Sequence, residues 1–110
     1  MAFTVKGEYE RLMKRKAEAE KSKYKQMGFE CGCACGIVTR IEYIPKGYNE
    51  EVHRWMEDEI QVYAIAGWSK KEDLIFTITE DDVSKRYQDR KYRYNKQYGI
   101  LEFYPYNKTK

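Results

Sequence analysis

The residues best suited to chemistry stand together at 30–36, ECGCACG, where Cys31, Cys33 and Cys35 are separated only by Gly32 and Ala34. Three thiols at that density invite a metal ion or a redox reaction. On an extended strand, however, residues i and i+2 point the same way and stand ~6.6 Å apart. Two sulfurs on one zinc ion, each ~2.3 Å from it, must lie within ~4 Å of each other. An extended Cys-x-Cys therefore chelates poorly, and the same separation disfavours a disulfide. Only His53 is present to complete a Cys₃His set. Beside Gly32, Ala34 and Gly36, the small thiols suit a place where a helix or second backbone comes close. The expectation is packing, with no metal and no cofactor.

Other chemistry is sparse. His53 could serve as a base beside Cys33 or a carboxylate, but a lone histidine is more often an ordinary surface or cross-strand residue. Glu57, Asp58 and Glu59 could supply a carboxylate pair. On a strand Asp58 would point away from the other two, and a solvated acidic surface is the simpler reading. The chain carries no glycine-rich phosphate loop and no nucleophile motif. The sequence reads as a protein that is not an enzyme, with no catalytic residues to name.

The elements that must position these residues follow from periodicity. Residues 8–27 read as a helix, with Glu8 and Glu10 at its positive end, Gly28 as its stop, and a thin apolar stripe through Tyr9, Leu12, Met13, Ala17, Tyr24 and Met27. From Phe29 to Ile44 the pattern is β-like, and Pro45-Lys46-Gly47 reads as a turn. Residues 50–68 fit a helix after Asn49 or a returning strand. The strand is favoured, giving a long hairpin over about 29–68 that turns at 45–51 and sets Glu42 opposite Arg54. A strand at 74–79 follows. The run TEDD at 79–82 then offers a capping hydroxyl and an acid at the third helical position, predicting a helix over 80–98 that stops at Gly99. A last strand spans 100–106, with Pro105 suited to an edge. The order α-β-β-β-α-β defines one α+β domain, with helices on a mainly antiparallel sheet.

At 110 residues, 42% of them hydrophobic and 35% charged, the chain suits one compact domain. No segment approaches the ~18 apolar residues of a membrane helix, so no membrane partner is expected. An odd number of bunched cysteines argues against a secreted disulfide framework and for a cytoplasmic protein. The net charge of +3 is unevenly spread. Residues 1–48 carry ten Lys/Arg against six Asp/Glu, residues 49–83 three against ten, and residues 84–110 eight against two. Folding can interleave these segments and neutralise them, so the pattern alone does not create patches.

Two surfaces emerge. On the expected second helix Val83, Tyr87, Tyr94 and Tyr98 face the core. Tyr92 lies opposite, ringed by Lys85, Lys96, Arg93 and Arg86, a set able to stack a base and meet phosphates. The second surface is acidic, with Glu57, Asp58 and Glu59 joined by the cap acids Glu80, Asp81 and Asp82. With Tyr48, Trp55 and Trp68 it has the composition of a protein-binding patch, aromatic anchors inside a charged rim. The preferred expectation is a small non-enzymatic binding protein that docks on a larger protein or protein–nucleic acid complex and modulates or inhibits it. Accessory proteins of phages and mobile elements are of this general type. The alternative is a module binding nucleic acid directly through the Tyr92 face, and exposed strand edges leave a homodimer open.

Overall fold

A computed structural model describes residues 4–30, 35–67, 69–84 and 92–103. Helix α1 (Val5–Lys21) begins after Thr4, whose hydroxyl accepts the Gly7 N–H at 2.9 Å, three residues before the expected start. It ends at Ser22, whose N–H and hydroxyl both donate to the Ala19 carbonyl, at 3.2 and 2.7 Å. A side chain that captures a helix carbonyl competes with the next turn. The expected continuation to 27 is therefore replaced by a turn through Lys25, at φ 67°, and Gly28 opens a strand.

The strands are β1 (Gly28–Glu30), β2 (Cys35–Ile44), β3 (Gly47–Asn49), β4 (Arg54–Met56), β5 (Glu59–Ala66), β6 (Asp73–Ile78), β7 (Tyr92–Asn95) and β8 (Ile100–Phe103), with the short helix α2 (Glu80–Ser84) between β6 and β7. Six form one sheet in the order β6-β5-β2-β1-β8-β7, antiparallel except for the parallel pair β1–β8. β3 and β4 form a small second sheet. The molecule is a single α+β domain of mainly antiparallel type. α1 packs on β2 and β5, while α2 rests on β6 and α1. Val5, Leu12 and Ala19 meet Val38, Ile41, Ile60, Val62, Ala64 and Ile78, and Met27, Phe29, Tyr92, Leu101 and Val83 complete the core. β5 shows the half-buried alternation plainly, with Ile60, Val62 and Ala64 turned inward.

Three expectations need correction. Phe29 to Ile44 is not one strand: Glu30 pairs with Cys35 and Phe29 with Gly36, so the chain reverses between β1 and β2. Cys31 and Cys33, which the expected strand was to hold apart, lie outside the described residues. The long hairpin exists, but its turn lies later. Ile44 faces Glu59, and three residues along each arm Gly47 faces Met56 in unbroken register. Pro45 lacks an N–H and interrupts the ladder without turning it. The reversal comes at Asn49, whose Oδ1 accepts the N–H groups of Glu51 and Val52 at 2.8 and 3.3 Å, with His53 at φ 57°. Glu42 therefore faces Gln61, not Arg54.

The third correction concerns residues 80–98. The acidic half of the expected cap forms, with Asp82 accepting from the Thr79 N–H at 3.0 Å, while the Thr79 hydroxyl donates to the same carboxylate at 3.2 Å. Helix is described only through Ser84, and Tyr92–Asn95 is a strand. Tyr92 and Tyr94 alternate with Arg93 and Asn95, a two-residue period that pairs with β8. Asn95 Oδ1 then accepts the Tyr98 N–H at 3.3 Å, and Gly99 at φ 65° completes the turn. The cue taken as a helix stop is the left-handed residue of a hairpin. Beyond Phe103 the expected strand lies outside the described residues.

Candidate functional site

The tip of the long hairpin carries the most conspicuous exposed side chains. Tyr48 and Trp55 are cross-strand partners in the β3–β4 pair, their rings edge-to-face with centroids 5.8 Å apart. Trp55 is 72% exposed and Tyr48 49%, with exposed Val52 nearby in sequence at the turn. Cross-strand aromatic contact orders this small sheet, yet it leaves most of the indole in solvent. Such exposed apolar surface, rimmed by charge, is the kind that meets a partner.

Below the tip runs a groove of about 450 Å³, lined by the segment from Arg54 to Glu59 on one side and by Thr79, Glu80 and Asp81 on the other. Five of its lining residues are acidic and one, Arg54, is basic. Glu57 and Asp58 sit between β4 and β5, not within a strand. All three acids line the same groove. Asp58 accepts the Tyr43 hydroxyl at 2.7 Å. That hydrogen bond, then desolvation, then the carboxylate's charge push the tyrosine's pKa above its ordinary value. Glu59 accepts from Gln61 at 2.9 Å, and Glu57 forms a loose ion pair with Lys46 at 3.6 Å, both exposed.

The two walls meet because of strand register. Ile60 pairs with Ile78 at the end of the β5–β6 ladder, so the residues just beyond that pair, Glu59 and Thr79, are brought side by side. Each acid was visible in the sequence. Their confrontation depends on a pairing between segments eighteen residues apart, for which no local signal exists.

Tyr92, the centre of the alternative surface, is not at the surface. It is 1% exposed and belongs to the core, because β7 turns it inward where a helix would have turned it out. Arg93 pairs with Glu102 across β7–β8 at 2.8 Å, and Lys96 is exposed in the following turn. Lys85 and Arg86 lie outside the described residues, as do Tyr87, Trp68 and the basic tail. Tyr98, expected in the core, is 52% exposed, while Tyr94 packs against it. Burial, and secondarily Glu18, raises the Tyr94 pKa against the opposing pull of Arg15. Three of the six cations of α1 are engaged on the helix itself, in the pairs Arg11–Glu8, Arg15–Glu18 and Lys16–Glu20. Arg40 is held by Glu42 and by Glu72, and lies 3.8 Å above the Tyr63 ring.

His53 stands exposed at the hairpin turn. Among the described residues no three His, Cys, Asp or Glu side chains are grouped to hold a metal ion, and no helix is long and apolar enough to cross a membrane. Compared with protein-family models, curated proteins and solved structures, the chain matches none. The fold and the groove therefore carry the functional argument alone.

Proposed function

We propose that this chain is a small binding protein, without catalytic chemistry of its own, that docks on a larger macromolecular partner through the hairpin tip and acidic groove and modulates it. Tyr48, Trp55, Glu57, Asp58 and Glu59 form the contact. Occupying a surface the partner needs would make it an inhibitor, in the manner of accessory proteins of phages and mobile elements. Its bunched, odd-numbered cysteines support work in a reducing cytoplasm. The supporting observation is Trp55: a tryptophan 72% exposed, on a hairpin ordered by its contact with Tyr48 and beside a carboxylate-lined groove, is the composition of an interface hot spot. Direct nucleic-acid binding through Tyr92 loses its support, since the ring is buried.

Affinity capture from the native cell or host tests this reading, using wild type, Trp55→Ala and the double variant Glu57→Gln/Glu59→Gln, with and without nuclease. A protein partner retained by wild type and lost with the variants is the expected result. Capture of nucleic acid alone, abolished by nuclease and indifferent to Trp55, would overturn it.

A further inference from the structure

The partner's contribution to this contact can be specified. We infer that the groove receives an arginine-bearing, extended segment of the partner protein, with a guanidinium stacked on Trp55 and forked to the groove carboxylates. This rests on the docking reading above and deepens it.

Charge complementarity comes first. Five carboxylates against one guanidinium line the groove, which attracts a cationic segment and repels a phosphate backbone. The exposed indole adds a second requirement, because a cation over a tryptophan face is attracted by the ring quadrupole. Arginine satisfies both demands at once. Its planar group stacks on the ring while its edge donates two parallel hydrogen bonds to a carboxylate, which an ammonium group cannot do.

The fold already contains this arrangement in miniature. Arg40 lies 3.8 Å over the Tyr63 ring while its Nε donates to Glu72 at 3.1 Å and its Nη1 meets Glu42. An aromatic face on β5 and two carboxylates, Glu42 on β2 and Glu72 just before β6, thus hold one exposed guanidinium. Trp55, Glu57 on the near wall and Glu80 on the far wall present the same three components outward. Among the described residues Glu57 is paired with Lys46, which is exposed and 3.6 Å away, an association weak enough for an incoming arginine to replace.

The test uses the full chain and two labelled probes, hexa-arginine and hexalysine, followed by fluorescence anisotropy at low and moderate salt. Hexa-arginine should bind about tenfold tighter than hexalysine, and Trp55→Ala should remove about that factor. Glu57→Gln and Glu80→Gln should each weaken binding and lower its salt dependence. Near-UV circular dichroism confirms that the variants stay folded. Equal affinity for the two peptides, or indifference to Trp55→Ala, would overturn the inference. So would light scattering that shows a dimer abolished by Trp55→Ala, which would make a second copy the occupant. Failure here is distinct from failure of the docking reading. Trp55-dependent capture that hexa-arginine does not compete away would sink the arginine segment alone, whereas Trp55-independent capture would sink both.

Discussion

Gly36 is the position where the fold is least forgiving. A methyl group placed there would lie 2.2 Å from the Ile65 carbonyl oxygen, 2.7 Å from Phe29 Cε1 and 2.9 Å from Ala66 Cα. Two of these neighbours are backbone of β5, and the third belongs to a ring in the core, so none can swing aside. Gly36→Ala must push β2 and β5 apart by about 1 Å, since heavy atoms in contact do not approach closer than roughly 3 Å. Overpacking costs about 1–3 kcal/mol, and weakening one or two ladder hydrogen bonds adds about 1 kcal/mol each. The expected loss is about 3 kcal/mol, which in a domain of this size lowers Tm by roughly 10–20 °C. Gly47→Ala is the internal control: nothing lies within 4 Å of its added methyl and its φ is not positive, so it should be neutral or stabilising by up to about 1 kcal/mol. Urea unfolding followed by tryptophan fluorescence measures both. If the two variants unfold at the same urea concentration, the close approach of Phe29 and β5 over Gly36 is wrong, and the packing account of this hairpin goes with it.

Trp55→Ala should cost only about 1 kcal/mol in stability, the scale of its ring contact with Tyr48, while partner capture falls by about 30-fold or more. Tyr92→Ala should instead cost about 3–5 kcal/mol in urea unfolding, as for other large buried rings; an unaffected fold would restore Tyr92 as a surface residue. Hydrogen bonds from Thr39, then from Arg40, hold the Glu72 pKa below the ordinary carboxylate value. Its folded-state value is therefore lower than its unfolded one, so it adds stability above the ordinary carboxylate range, and that gain is lost as pH falls through the folded value. In Tm measured against pH, Glu72→Gln should show a shallower acid limb than wild type. His53→Gly should stabilise the hairpin by about 1 kcal/mol by relieving a left-handed backbone, again read from urea unfolding; a loss would mean that the imidazole makes a compensating contact.

Much of this architecture is legible in the chain because it is local. The alternation in EIQVYAIA, the Thr79–Asp82 cap and the helix rich in Lys and Glu each declare themselves within a few residues. Failures arise where one residue type serves two geometries. Gly99 ends a helix or completes a hairpin equally well, and only the pairing of Tyr92 and Tyr94 with β8 decides. Pro45-Lys46-Gly47 has the composition of a turn, but the ladder continues past it because Asn49 and His53 supply a better reversal. Glu8 is the extreme case: a carboxylate on the buried face of α1, 1% exposed beside Arg11, where polarity alone would have turned it outward. For the groove, the sequence supplied every acid and the tryptophan, while the register of β5 against β6 supplied their opposition.

The sign of that groove does not follow from the sign of the chain. A formal charge of +3 suggests an affinity for phosphates only if the cations remain available at the surface. Several here are engaged at short range: Arg11, Arg15 and Lys16 on α1, Arg40 on the sheet and Arg93 across β7–β8 each face a carboxylate. Such exposed pairs contribute little to stability, but they cancel field. The hairpin tip differs because its acids come from one strongly acidic stretch and converge on a single groove, with Arg54 the one cation lining it among the described residues. A partner senses the local potential within about a Debye length, ~8 Å at physiological salt, and at that range the face beside Trp55 is negative although the chain as a whole is positive. The proposed recognition chemistry therefore rests on where strand register places Glu59 and Thr79, and it calls for a cationic partner.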